Sequence, residues 1–223
     1  VLPQLEPAVA EVNGSNLIIR GAGDAVVTAS QGGNANFHDA SERNATVHVD
    51  KAVLAVVAHD ASKAYLGAMP ALTYHLEGFV HDENATVLTT QPSIEANATA
   101  ASPAGVYAIT VSGGTAANYH FSHQNAVLHV GEGSQSINFV AELNATYGDD
   151  TIVLEGNATS GLSVTYHSSN PAVAEVNGSD LIIRGAGDAI VTASQGGNAN
   201  FHDAAERNAT VHVDKAVLAV VAH

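Results

Sequence analysis

Apolar and polar positions alternate along this chain in short runs, and nowhere at a helical period. The segment Asn16–Arg20 reads NLIIR and Asp24–Gln31 reads DAVVTASQ. Asn44–Asp50 reads NATVHVD and Val53–His59 reads VLAVVAH. The same pattern returns at Leu72–Leu76, Gly105–Ser112, Ala117–Ser122 and Ala126–Val130. It continues at Ser134–Val140, Thr151–Leu154, Leu162–His167 and Ala172–Val176. A period of two with Gly- and Asn-rich breaks predicts half-buried strands. No long stretch shows apolar residues three and four apart between caps, so no helix of three turns is predicted. Asn13-Gly14 between Val12 and Leu17 predicts a type I′ hairpin, and Gly21-Ala22-Gly23 the next turn. The fold class expected is all-β, in short strands that pair as β-sandwich modules.

The pattern repeats on a larger scale. Residues Pro7–His59 return as Pro171–His223, and only Asn16/Asp180, Val26/Ile190 and Ser41/Ala205 differ. An offset of 164 residues is too long for a solenoid and fits two unlike modules of about 80 residues repeated as a pair. Four segments follow. Residues 1–50 match the second half of a module whose full copy is 132–214. Residues 51–131 form a different complete module, and residues 215–223 match only its first strand. Half a sandwich would expose its core face and an unpaired edge. A longer parent chain or a completing partner is therefore expected.

Composition narrows the function. Net charge is −15 with seven Lys plus Arg, so nothing could neutralise a phosphate backbone, and nucleic acid is excluded as a partner. The absence of Cys rules out disulfides, thiol chemistry and Cys-ligated zinc. No apolar run is long enough for a membrane-spanning helix. Hydrophobic residues reach 46%, but Ala and Val dominate and Trp is missing, which suits thin sandwich cores. No nucleophile motif is present: Gly-x-Ser-x-Gly does not occur, and Gly21-Ala22-Gly23 lacks the third Gly and helix of a phosphate cradle. An enzyme is not expected, and no cofactor is implied.

Two stretches resemble known bacterial modules. The segment KAVLAVVAHDASKAYLGAMPALTYHLEGFV (51–80), followed by SPAGVYAITVSGGTAANYHF (102–121), is similar to the "mostly bacterial Gly-rich" (MBG) repeat. The segment TYGDDTIVLEGNATSGLSVTYHSSNPAVAEV (146–176), followed by GAGDAIVTASQGGNANFHDA (185–204), resembles the bacterial Ig-like module that often alternates with it. Tyr65-Leu66-Gly67 departs from the MBG pattern, where Tyr usually stands directly before Gly. The resemblance implies a large secreted bacterial protein, commonly an adhesin, with no catalytic residues.

The most specific chemistry is Asn-x-Ser/Thr, which occurs at Asn13, Asn44, Asn84, Asn97, Asn144, Asn157, Asn177 and Asn208. Two positions earlier the residue is always acidic: Glu11, Glu42, Asp82, Glu95, Glu142, Glu155, Glu175 and Glu206. Two pairs are repeat copies, which leaves six independent cases. With about one acidic residue in ten, that agreement arises by chance roughly once in a million. The extended pattern resembles the acceptor of bacterial-type oligosaccharyltransferases. Turn geometry offers another account of Asn13 and Asn177, which sit in Asn-Gly hairpins. Repeat inheritance with Thr at strand edges offers one for the other six, but leaves the acids unexplained.

Other candidates are weaker. His120 and His123 are three apart, on opposite faces of a strand. His48 and His129 alternate with apolar residues and read as outward strand positions. Calcium could be sought at Asp149-Asp150 or near Asn34, Asn36 and Asp39, without the Asp-x-Asp-x-Asp-Gly spacing. Lys51, Lys63 or Lys215 could supply an isopeptide bond. The sequence thus predicts a stalk or fibre segment of a glycosylated bacterial cell-surface protein, extracellular and adhesin-like. Its partners would be neighbouring repeats or identical subunits, with covalent N-glycans. A self-assembling filament subunit and a glycan-binding accessory module of a secreted enzyme are the alternatives.

Overall fold

A computed structural model describes residues 9–221. The strands in chain order are β1 (Ala10–Asn13), β2 (Asn16–Ile19), β3 (Gly23–Ala29), β4 (Arg43–Val49) and β5 (Ala52–Ala58). Next come β6 (Ala61–Ala64), β7 (Tyr74–Glu77), β8 (Leu88–Ala96), β9 (Gly105–Ala116), β10 (Tyr119–Gln124) and β11 (Ala126–Gly131). Then follow β12 (Ile137–Asn138), β13 (Glu142–Thr146), β14 (Ile152–Val153), β15 (Asn157–Ala158) and β16 (Thr165–Ser168). The last are β17 (Ala174–Asn177), β18 (Asp180–Ile183), β19 (Gly187–Ser194) and β20 (Arg207–Asp214). A single 3-10 turn, Ala85–Val87, is the only helical element among the described residues. The protein is all-β, and among the described residues no helix is long and apolar enough to cross a membrane.

The chain divides into two compact units. The first takes the chain up to Ala61, with Pro70–Thr99 and Val106–His129. It holds the hairpin β1–β2, the hairpin β3–β4 and a larger sheet of order β11-β9-β10-β5-β7, with β8 paired to β9. β5 is the most apolar strand and lies inside this sheet, parallel to β10 and antiparallel to β7. Leu54, Val56, Ile109 and Leu128 are buried there. Tyr119 is buried as well, edge-on to Phe79 at 5.7 Å. Its hydroxyl donates to Glu83 Oε2 at 2.5 Å and accepts from the Val80 N–H at 3.0 Å. β8, which is not among the strands expected from alternation, carries Pro92. It pairs only with β9, and on an edge strand the missing N–H costs no ladder bond.

The second unit comprises Ser62–Met69, Ala100–Gly105 and the chain from Val130 on. Its four-stranded sheet has the order β13-β20-β19-β16 and its three-stranded sheet β14-β18-β17. They share one core: Ala145, Val211, Val213, Ala189 and Val191 from the first, Ala174 and Leu181 from the second, with Leu154 and Val173 from the connections. Tyr166 and Phe139 pack against it, and the Tyr166 hydroxyl donates to the Leu154 and Gly156 carbonyls. The Tyr65 ring meets Phe201 edge-on at 5.2 Å. Tyr65-Leu66 forms a tight turn closed by the Gly67 N–H on the Ala64 carbonyl at 3.0 Å, with Leu66 at φ 59°. The extra residue in the Tyr-Leu-Gly run is thus accommodated by a left-handed leucine.

The two copies of the repeated sequence form the same hairpins in the same register. Gly23 pairs with Val49 as Gly187 pairs with Val213, and Ala10 with Ile19 as Ala174 with Ile183. Their cover differs. β20 also pairs with β13, β19 with β16, and β18 with β14, whereas β3–β4 and β1–β2 pair with no further strand among the described residues. Leu181 is fully buried and its counterpart Leu17 is 38% exposed. Ala193 and Ala209 are fully buried, while Ala29 and Ala45 are exposed. Every residue that differs between the copies is exposed, so the buried faces are identical in sequence.

Two expectations change. Asn13 is the last residue of β1, opposite Asn16, so Gly14 and Ser15 are the central turn residues. Gly14 has φ 64° and Ser15 is not left-handed, which is the φ pattern of a type II′ turn. The expected first strand at 215–223 does not form over its described part. Lys215–Val221 has no regular structure, and Val217, Leu218 and Val220 are all over 90% exposed. The identical sequence in β5 is held by β7 and β10, and the described residues hold no second copy of those strands. Residues 222 and 223 lie outside the described region.

Candidate glycan-acceptor sites

All eight sequon asparagines are exposed. In three of them strand alternation shows why. β13, β15 and β20 each carry Asn-Ala with the alanine buried, at Ala145, Ala158 and Ala209. Side chains one apart point to opposite faces, so an inward alanine turns the asparagine outward. The acid two residues earlier then lies on the asparagine's side wherever the backbone is extended. Glu142, Asn144 and Thr146 are all exposed along β13. There the Asn144 amide donates to Glu142 Oε1 at 3.1 Å.

The other sites differ locally. Asn84 caps the 3-10 turn, its Oδ1 accepting from the Thr86 N–H at 3.0 Å. Its acid, Asp82, has φ 57° and stands in a left-handed turn, outside any strand. Asn97 follows β8, with its N–H on the Ala108 carbonyl. Asn13 and Asn177 close their hairpins, and their acids have another task. Glu11 pairs with Arg20 at 3.0 Å and Glu175 with Arg184 at 2.7 Å. At those two sites a cross-strand ion pair accounts for the acid without a transferase. Asn44 and Asn208 start the equivalent strands β4 and β20, opposite Thr28 and Thr192.

In the second unit the outer face of the four-stranded sheet gathers two sequons. Asn144 lies opposite His212 in the β13–β20 ladder, and Asn208 lies two turns of the pleat earlier on β20. His212 Nδ1 is 2.6 Å from Asp188 Oδ1 and its Nε2 is 3.3 Å from Asp214 Oδ1. The first copy matches it, with His48 2.5 Å from Asp24 and 3.2 Å from Asp50. The hydrogen bond to Asp24, then the charges of Asp24 and Asp50, raise the His48 pKa above its ordinary value. Asp188 does the same to His212, chiefly through its hydrogen bond. Sequence patterning places His48 outward but cannot see the carboxylate across the strand.

Several of the remaining candidates are engaged with the backbone. Asn34 Oδ1 accepts the Asn36 and Phe37 N–H groups, Asp39 Oδ1 that of Gly33, and Asp149 Oδ2 that of Thr146. Lys51 Nζ donates to the Ala116 carbonyl and Lys63 Nζ to the Ala100 carbonyl. His123 Nε2 lies 2.8 Å from the Gly113 carbonyl. Among the described residues no group of three or more His, Asp or Glu is placed to hold a metal ion.

Comparison with known proteins finds one family-model match, over part of the chain. Residues 54–129 match the MBG domain (YGX type). The matched segment contains β6–β10 whole and about two thirds of β5 and of β11. No curated protein matches the chain significantly. Solved structures with detectable likeness include Drosophila N-cadherin EC1-4, at 11% identity and TM-score 0.29 over 85% of this chain and 58% of that one. Drosophila N-cadherin EC1-3 gives 9% identity and TM-score 0.30, over 94% and 86%. Mouse protocadherin-24 EC1-3 gives 10% identity and TM-score 0.34, over 96% and 89%. Superposition at this level is too weak to transfer a property.

Proposed function

We propose that the chain is a structural segment of an extracellular bacterial surface protein of the adhesin type, carrying N-linked glycans on tandem β-sandwich modules. The observation that carries this reading is the exposure of all eight sequon asparagines. The MBG match over 54–129 supports an extracellular module. The function is mechanical and steric: short strands give rigid modules, and sugars with a charge of −15 keep them hydrated and apart. Asn44, Asn84, Asn97, Asn144, Asn157 and Asn208 are the stronger acceptors. Asn13 and Asn177 are the weaker, because the ion pairs with Arg20 and Arg184 account for their acids. Intact-mass measurement of protein from the native host, before and after release of N-glycans, tests the proposal. Glycan mass on at least the six Asn-Ala-Thr sites is expected; unmodified mass at all eight would overturn it.

A second reading is a self-assembling filament subunit that completes itself by strand addition. The open side of β3–β4 and the apolar run at Val217–Val221 favour it.

A further inference from the structure

We propose that His59 and His75 form a binding site for a divalent transition-metal ion of the imidazole-seeking class, Cu2+ ahead of Zn2+. The two residues are 16 apart and are brought together by the antiparallel pairing of β5 with β7, so no sequence spacing announces them. His59 directly follows β5, its N–H on the Thr73 carbonyl at 3.0 Å. β7 is the last strand of its sheet, which leaves both rings accessible to solvent.

The two rings face each other through one hydrogen bond, the position an ion would take in place of its proton. His59 Nε2 lies 2.7 Å from His75 Nδ1. The ring centroids are 4.9 Å apart and the planes differ by 18°. The short nitrogen distance takes up most of the centroid separation, so the rings meet edge to edge in nearly one plane. Imidazole lone pairs lie in the ring plane, hence both nitrogens face the gap between them. Each far nitrogen is held by an oxygen. His59 Nδ1 is 2.9 Å from Thr73 Oγ1, and His75 Nε2 is 2.7 Å from Glu77 Oε1. A ligating histidine whose other nitrogen is fixed by a carboxylate or hydroxyl is the usual outer shell of a metal site. Other histidines, such as His48, His202 and His212, face carboxylates directly.

The protons balance. With Glu77 ionised and both rings neutral, one assignment satisfies every bond: Thr73 O–H to His59 Nδ1, His59 Nε2–H to His75 Nδ1, and His75 Nε2–H to Glu77. An ion entering the gap needs lone pairs on both facing nitrogens. His59 supplies its own by moving its proton from Nε2 to Nδ1, where the Thr73 hydroxyl turns to accept it. His75 is unchanged, and no proton leaves the protein. Zn–N bonds of about 2.0–2.1 Å at a tetrahedral angle span about 3.4 Å, so the facing nitrogens must part by roughly 0.6–0.7 Å and both rings must swing out of line, which exposed side chains permit. The remaining coordination positions fall to water. Two imidazoles without thiolate favour copper over zinc by the general order of divalent affinities.

Calorimetric titration of the full chain with CuCl2 and with ZnCl2 in a non-coordinating buffer tests this, together with the electron paramagnetic resonance spectrum of the copper form. One tight equivalent is expected for each metal, copper the stronger, with two imidazole nitrogens coupled to the copper. His59→Ala and His75→Ala should each abolish that equivalent. Glu77→Gln should weaken it by about 10-fold or more while both ligands remain. Circular dichroism checks folding, and His59→Ala alone suffices if His75→Ala perturbs β7, since His59 lies outside the strands. Undiminished binding in the His59→Ala/His75→Ala chain, or no tight equivalent in the parent chain, would overturn the proposal.

Discussion

His48 shows what one residue can reveal about this surface. It sits between Asp24 and Asp50 on an open strand face, and His212 repeats the setting between Asp188 and Asp214. Both pKa values are raised in the folded chain, first by the hydrogen bond to the carboxylate across the strand. The sign follows from linkage. A raised histidine pKa adds stability below the unfolded value, near 6.5, and that addition fades as pH climbs through the folded value. The groups are solvated and salt screens them, so the effect on global stability is small. Ring-proton NMR resolves it directly: both histidines should titrate above pH 6.5. Asp24→Asn should bring His48 back towards that value and leave His212 where it is.

Elements in this chain owe their burial to neighbours more than to their own sequence. Val47 and Val211 occupy the same place in identical strands, yet Val211 is fully buried and Val47 only partly. Val211→Ala should therefore cost about 1–3 kcal/mol of local stability, from lost transfer energy plus a cavity. Val47→Ala should cost less than half as much, and denaturant melts followed by residue-specific NMR signals would separate the two. This also explains how far the fold could be read beforehand. β3 and β4 were legible from alternation and β5 from its continuous apolar run, which are local signals. β8 was not, since Pro92 argues against a strand until its edge position is known. β13 hid inside a sequon: Glu-Leu-Asn-Ala-Thr is polar enough to read as a loop, and only Ala145 and Leu143 turned to a core identify it. Among candidate sites, the sequons were fully legible, their exposure partly so. The facing pair His59 and His75 was not, because it depends on which strand adds to β5.

At the scale of the whole molecule the open hairpins and the apolar tail segment bear on association. If strand addition between chains is the mode of assembly, sedimentation velocity should show growth with concentration. The variant Leu218→Asp with Val220→Asp places two charges in the exposed apolar run and should abolish that growth. A single monomeric species at all concentrations would sink the filament reading and leave the stalk reading untouched. The duplicated hairpins have a further consequence. The copy under β13, β14 and β16 and the copy without such cover share one buried-face sequence. Local opening free energies follow burial and contact, so one sequence sits at two levels of stability in a single polypeptide. Native-state hydrogen exchange over the described residues should then show two levels of amide protection. The first level belongs to paired strands alone, and the second to the same strands with their cover.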